Sequence, residues 1–600
     1  MCRRIIVELL VIVALFALAG FIWLHPASRE LLAGNTSVMI GDGTDSITNP
    51  WQYQLVLDTF RHNPFRILFG AIYTDSVSFP NGQAVFIPWS ERLIVLALAP
   101  FLSINLMPTA VVWSYIVLSG LAMHICGRLF GFPCIVAFAL ALAFAVCPYT
   151  RARAMVHIAL VGVYFAPLAA IGIRILAGSP QKLGWSSHTD LWVSALCLLF
   201  SVMAAHYYAI ILIAFCPLFI ILYAMLAPHR VPKIRAVIRL VLAGSPAFFF
   251  LLFTRIMPVS PADAARLASS EVSAADVRET ANNFLRVYGA RAEDYVGGDV
   301  RFGDRDILPW RSAVTRKIRA STGGDYHERT NGIRWTVLGA DVVLAIIVSK
   351  RGLRRRLHLE ERKLAIFACL LGATAFFTSL SPQAIRFQDI EVGPALLIAR
   401  LIPAFRVPSR VGVLVAFAAT LGAGVVFTRL WSHARSGRRR VFVGISLLTL
   451  IVVEYLPLHP VMLAPVSPAH PPLPPSGGEC GAGITVPYVT WNANETDYYK
   501  AFTELRGSSC KIVHSPYQGA EEHALIQTLS KDTFGTEDLS RAVSFARCTR
   551  ASWVMFRLNV PETFKKDFCT EMGWSFVISN ACRGNPASIG PVRPTRECVP

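Results

Sequence analysis

The feature that most limits what this chain can become is a series of apolar runs, most 15–22 residues long, set between polar stretches. A run of about 20 residues covers the ~30 Å hydrocarbon core of a bilayer as a helix. In lipid every backbone polar group needs an internal partner, so a chain built of such runs folds as a helical bundle. Composition agrees: of 600 residues 54% are hydrophobic and 16% charged, with mean hydropathy +0.49, whereas a soluble domain is about one-quarter charged.

The first run, Ile5–Leu24, follows Arg3-Arg4 and reads as a retained helix rather than a cleaved leader. Further spans are expected at 109–128, 133–148, 156–176, 190–205, 208–227, 237–257, 335–349, 364–380, 410–430 and 441–457, eleven in all. Leu93–Ile104 has 12 residues and contains Pro100, which is short for a crossing. Read as re-entrant or interfacial, it leaves every strongly basic loop on one side. These are His229-Arg230 with Lys233 and Arg235, Lys350–Lys363, and Arg435–Arg440. Basic loops mark the cytoplasmic face, which puts the N terminus there too. Loops 25–108 and 258–334 then face outside. The second is too long for a simple connector and is expected to be structured. Within the first, Trp51–Phe69 reads as an interfacial amphipathic helix.

The expected fold class is an all-α polytopic membrane bundle over residues 1–457, with a small C-terminal α/β soluble domain over 458–600. A stiff proline-rich linker, Pro457–Pro475, joins them. Strands are expected at Gly483–Val489, Cys510–His514, Ser552–Leu558 and Trp574–Ser579, and helices at Tyr498–Leu505 and Glu521–Leu529. No internal repeat is found.

Charge and cysteine divide the chain at the same place. Lys and Arg number 57 against 38 Asp and Glu overall, and 13 against 13 in residues 461–600. The whole excess of +19 therefore lies in the membrane part, where it marks topology at an anionic leaflet. No basic–aromatic interleaving points to nucleic acid. Seven cysteines lie in or beside apolar runs and act as small hydrophobes. Six (Cys480, Cys510, Cys548, Cys569, Cys582, Cys598) lie in the polar tail. An even set there implies disulfides and an oxidising compartment. Six cysteines allow 15 pairings, among which spacing does not choose.

The chemistry-bearing residues gather on the outside. Asp42 and Asp45 sit in Gly41-Asp42-Gly43-Thr44-Asp45, just past the first span. Flanking glycine lets a carboxylate approach a ligand closely, and a carboxylate can take the proton of an attacking hydroxyl. The same residues also build Asx turns and helix caps. Arg151, Arg153 and His157 lie where a span meets the outer face. Arginine suits phosphate through its forked donors, although interfacial arginines also snorkel. Arg406 and Arg410 flank Val407-Pro408-Ser409, where Ser409 can cap the next helix and the helix N terminus adds to an anion site. His206 and Tyr207 occupy a tight turn between spans, and His327 and Glu328 close loop 258–334. These four, with His157, are candidate contacts for sugar or acceptor. Metal ligation is unassigned: a divalent ion is the one candidate cofactor, and it would need Asp42, Asp45 and Glu328 to meet.

The order of these features resembles the GT-C superfamily of membrane glycosyltransferases, in one bacterial, largely uncharacterised branch. The resemblance is carried by Gly41–Asp45, Asn63-Pro64-Phe65, Phe79-Pro80-Asn81-Gly82, Arg151–Pro167, His327-Glu328-Arg329 and Pro403–Val413, and covers about residues 1–430. It implies a bacterial inner-membrane enzyme with a periplasmic active site. That enzyme would take a sugar from a polyprenyl-phosphate donor to a hydroxyl on a glycan or lipid-linked acceptor. In that superfamily the aspartate of the first outside loop is the supposed base, and Asp42 stands at the matching Gly-Asp position with Asp45 beside it. The tail departs from the branch in its cysteines, so no role transfers there. Two alternatives stand. A transporter or flippase needs ionisable residues in mid-span and favours internal repeats. Beyond Glu8 the spans read as nearly bare. A non-catalytic scaffold displaying the tail would not need an acidic outside loop.

Overall fold

The structure is a computed structural model. It describes residues 2–41, 49–68, 72–74, 83–85, 87–178, 187–227, 233–256, 285, 289–295, 301–302, 305–306, 331–355, 357–382, 386–387, 390–391, 393–402, 405, 407–434, 436–455, 461–465, 482–486, 511–512, 536–549, 553–556, 561–573, 575–578 and 581–583.

Helices dominate. α1 (Cys2–Trp23) turns by 105° into the short α2 (Ala27–Ala33), and α3 (Asn49–His62) and α4 (Trp89–Leu98) follow. The bundle continues with α5 (Met107–Leu129), α6 (Cys134–Ala145), α7 (Pro148–Val156), α8 (Phe165–Leu176), α9 (Ser187–Met203), α10 (His206–Leu226) and α11 (Lys233–Ile256). Past the long loop come α12 (Trp335–Ser349), α13 (Leu359–Ser379), α14 (Pro394–Leu401), α15 (Gly412–His433) and α16 (Gly437–Tyr455). Large apolar side chains face outward on many of them, among them Leu10, Leu18, Phe249, Phe377 and Phe442. A surface this apolar is stable only in lipid, so the chain is a multi-pass membrane protein.

Small residues set the packing. α6 is largely buried and its run of alanines lets helix backbones approach. A Cβ on Gly120 of α5 would lie 2.6 Å from the Phe16 ring of α1, and one on Gly424 of α15 would lie 2.1 Å from Phe132. Pro217 and Pro246 sit inside α10 and α11, as membrane helices tolerate.

Seven helical stretches among the described residues are long and apolar enough to cross, or eight if the bent α1–α2 pair is one span. The expectation of eleven is therefore not met on length and composition. α9 contributes only His188–Met203 and α12 only 15 residues. α16 begins with Arg438-Arg439-Arg440 and holds Glu454. The expected outside loop 149–155 is helical: α6 breaks at Val146-Cys147 and α7 carries on. Nor are the spans nearly bare. Asp341 lies within α12, and the buried Arg174 near the end of α8 meets Glu360 at 3.4 Å. Leu93–Ile104 is helical only over its first half, in the ten-residue α4, and continues in turns from Ala99.

Strands fasten the loops to the bundle. β1 (Val38–Ile40) pairs antiparallel with β8 (Leu463–Pro465), so the loop after the first helix is tied to the chain leaving the last. β2 (Ile72–Thr74) pairs with β3 (Gln83–Val85), and β4 (Arg301–Phe302) pairs antiparallel with β5 (Arg305–Asp306), as β6 (Arg386–Phe387) does with β7 (Ile390–Glu391). The long loop docks through Ala290, whose N–H and C=O bond to Ser379 and Ser381 at 2.8 Å each. A Cβ on Gly289 would lie 2.2 Å from Ser381, so glycine is required there.

In the tail, β9 (Ala482–Val486), β10 (Lys511–Ile512), β11 (Trp553–Phe556), β12 (Ser575–Ile578) and β13 (Ala581–Arg583) form one mixed sheet in the order β10-β9-β11-β13-β12. α17 (Thr536–Thr549) and α18 (Glu562–Met572) accompany it. Neither helix nor β13 was expected from sequence, and the expected helices Tyr498–Leu505 and Glu521–Leu529 lie outside the described residues.

Candidate active site at one end of the bundle

Asp42, Asp45, His327, Glu328 and Arg406 lie outside the described residues. What the structure shows is the frame around them. Gly41, directly before Asp42, has φ 139°, a conformation open to glycine. Its N–H bonds to the Met462 carbonyl at 3.0 Å, continuing the β1–β8 pairing by one residue. The Met462 N–H in turn reaches Met155 Sδ of α7 at 3.4 Å. The entrance to the acidic loop is thus fixed against the helix that carries Arg151 and Arg153.

α7 begins with Pro148 in its first turn, where a missing N–H costs nothing. It ends at His157, whose N–H bonds to Arg153 O at 2.8 Å. Arg153 is fully buried with its guanidinium 4.9 Å from the centre of the Tyr149 ring. Arg151 and His157 are half-buried. Arg151 is two positions from Arg153 and so on a different face of the helix. The two arginines therefore do not form one fork.

The α9–α10 turn stands opposite. Tyr207 Oη donates to the Val407 carbonyl at 2.6 Å and accepts from the Val407 N–H at 3.0 Å. Its ring stacks on Phe405, 6.3 Å between centres, and lies 4.9 Å beneath the Arg410 guanidinium. One tyrosine therefore holds both the backbone and the cation of the Val407–Arg410 turn. Tyr208 stacks on Phe165 at 4.2 Å, donates to Leu160 O, and accepts from Tyr149 Oη at 3.3 Å. It lies within electrostatic reach of both Arg153 and Arg410. The structure thus brings Arg153, Arg410, Tyr207 and Tyr208 together. His206, the first residue of α10, is exposed at the same turn. Ser409 does not cap α15 as expected: its hydroxyl is buried with no hydrogen bond among the described residues, and its carbonyl accepts from Asn331 Nδ2 at 3.0 Å. That bond places the chain just past His327 and Glu328 beside Arg410.

Sequence reasoning missed a second polar group on α4. Glu91 and Arg92 are almost completely buried, at 1% and 0% exposure. Tyr53 Oη of α3 donates to Glu91 Oε1 at 2.5 Å. Arg92 donates to the carbonyls of Ile87 at 2.9 Å and Ile67 at 2.8 Å. Burial pushes the Glu91 carboxyl up to about 7, against the opposing pull of Tyr53 and Arg92. Burial lowers Arg92 to about 10. Ser90 Oγ donates to Ala204 O at 3.0 Å and meets Tyr115 Oη at 2.9 Å, so α4 is joined to the turn that presents His206. The signal was a Ser-Glu-Arg triplet heading an apolar run too short to cross.

One grouping among the described residues has the donor set of a metal site: Glu8, His124 and Cys134, with ligand atoms all within 4.8 Å. It lies near the opposite ends of α5 and α6 from this site, and it is not the Asp42–Asp45–Glu328 set expected from sequence.

No protein-family model matches the sequence, and no curated protein does. Solved structures do match. The chain is similar to arabinofuranosyltransferase AftD from Mycobacteria, with TM-score 0.48 and 13% identity, over 92% of this chain and 35% of that one. It therefore spans about a third of that protein's length. It is similar to the Archaeoglobus fulgidus oligosaccharyltransferase, with TM-score 0.44 and 12% identity, over 91% of this chain and 69% of that one. It is similar also to ArnT from Cupriavidus metallidurans bound to undecaprenyl phosphate, with TM-score 0.36 and 12% identity, over 97% and 99% of the two chains.

Proposed function

We propose that the chain is a membrane glycosyltransferase that moves a sugar from a polyprenyl-phosphate donor to a hydroxyl acceptor on the periplasmic face of a bacterial inner membrane. The observation that carries this reading is the convergence of Arg153 and Arg410 on the Tyr207–Tyr208 turn, with Gly41 fastened through Met462 to the same helix as Arg153. Asp42 follows Gly41 by one peptide unit, about 3.8 Å between Cα atoms.

In this reading the acceptor oxygen attacks the anomeric carbon and its proton passes to the Asp42 carboxylate. The bond from that carbon to the phosphate oxygen breaks, and the lipid phosphate leaves with the electron pair. The cations of Arg153 and Arg410 stabilise the charge that builds on it. Arg151 and Arg406 steer the headgroup from the rim. Asp45 orients the acceptor, and His157, His206, His327 and Glu328 contact sugar or acceptor hydroxyls. Eleven crossings follow if α1, α9, α12 and α16 also span, since tilted or shortened helices are accommodated by local thinning. The tail is proposed as a separate periplasmic domain stapled by disulfides. Cys569, buried and disulfide-bonded, supports that reading.

The test compares cell-envelope glycans made with the wild-type chain, Asp42→Asn and Asp45→Asn at equal expression. Loss of a glycan species in Asp42→Asn, with a smaller loss in Asp45→Asn, is expected. Unchanged glycans in both variants would remove the base and the enzyme with it.

A further inference from the structure

Far from the candidate active site, three helices bring unlike ligands to one point. Glu8 stands on the second turn of α1, His124 near the end of α5, and Cys134 at the start of α6. Cys134 Sγ lies 3.5 Å from Glu8 Oε1, and His124 Nε2 lies 3.8 Å from the same oxygen. His124 is 1% exposed, and neither ring nitrogen has a hydrogen bond among the described residues. A buried imidazole in that state is costly, since unmet polar groups lose their hydration without return. Cys134 is an exposed free thiol.

We propose that Glu8, His124 and Cys134 form a binding site for a borderline divalent transition ion, zinc above all, that joins α1 to α5 and α6. Zinc accepts thiolate, imidazole and carboxylate in one tetrahedron, with bonds of about 2.0–2.3 Å. Such bonds set ligand atoms roughly 3.3–3.6 Å apart. The observed 3.5 and 3.8 Å to Glu8 Oε1 are close to that geometry, and the His124–Cys134 pair, within 4.8 Å, closes to it by side-chain rotation on binding. Binding deprotonates the Cys134 thiol, whose proton passes to solvent, and gives the neutral His124 Nε2 its missing partner. Water completes the fourth position. Arg128 competes for the same carboxylate, with Nε 3.4 Å from Glu8 Oε1. It is only half-buried and also donates to Phe132 O at 2.8 Å, so it can leave Glu8 without losing every partner. The site is independent of the proposed sugar transfer.

The experiment uses the full chain in detergent, stripped of metal and titrated with Co²⁺. One Co²⁺ per chain is expected, with the thiolate-to-cobalt absorption and the intense visible bands of a tetrahedral centre. Cys134→Ser and Glu8→Gln change exposed or half-exposed side chains and should weaken binding by more than about tenfold, a ligand mattering at least as much as an outer partner. Cys134→Ser should also abolish the thiolate band, and Arg128→Gln should tighten binding. Zinc added in excess should displace the cobalt. Absence of the thiolate band in the wild type, or its persistence in Cys134→Ser, would overturn the proposal.

Discussion

At the scale of single residues, the candidate site rests on tyrosines holding cations and backbone. Tyr207→Phe keeps the ring between Phe405 and Arg410 and removes both bonds to Val407. It should lower stability by about 1–2 kcal/mol, as two hydrogen bonds contribute about that much, and raise the donor KM more than it lowers kcat. Glu91 makes a prediction in pH. Its carboxyl stands at about 7 in the folded chain against 4.5 for the free group. Between those values the folded state holds the extra proton, so this residue's contribution to stability is present below pH 4.5 and is lost as pH rises through 7. The loss amounts to about 3 kcal/mol at full ionisation. Glu91→Gln, which keeps an acceptor for Tyr53, should flatten the thermal midpoint between pH 5 and 8 and raise it at the alkaline end. A midpoint with unaltered pH slope would place the titrating group elsewhere. Arg153 and Arg410 stood out in the sequence because cations in segments expected on the outer side run against the usual charge bias. Glu91 was not, since a buried acid before an apolar run looks like the polar end of a helix until Tyr53 is seen to meet it.

At the scale of elements, close approach depends on glycine. Gly120→Ala pushes a methyl into the Phe16 ring and should separate α1 from α5, at a cost of about 1–3 kcal/mol in thermal or denaturant unfolding. A neutral result would mean that α1 is not seated there. Most helices were readable because an apolar run of span length leaves few other solutions. Their ends were less so. Nothing in Cys147-Pro148 says whether a helix stops or breaks and continues, and the chain does the second, carrying Arg153 into the bundle rather than onto a loop. The β1–β8 pair joins residues more than four hundred positions apart, and so short a ladder has no signature in local sequence. Yet it is the element that fixes Gly41. Gly41→Ala should therefore impair transfer well before it affects folding, because a positive φ disfavours any side chain there.

At the scale of the whole molecule, the proposed topology gives the bundle two unlike ends. In that topology the basic residues of Lys350–Lys363 and Arg435–Arg440 stand at the cytoplasmic end, with the Arg174–Glu360 and Arg429–Glu361 ion pairs. The Tyr207 turn and the β1–β8 pair mark the other. Reporter fusions check this: alkaline phosphatase should be active when joined after Pro600, and a fluorescent protein should be bright when joined after Arg440. The reverse pattern would invert the topology. The proposed chemistry needs a glycine-flanked acid working beside a phosphate-binding pair of arginines. It is tested most directly by measuring, on the purified chain, both the binding of a polyprenyl-phosphate sugar and the rate of its transfer, in wild type and Asp42→Asn. Unchanged binding is expected, with transfer slowed by about 10²–10⁴-fold, the contribution of a general base. Transfer at the wild-type rate in Asp42→Asn would contradict it.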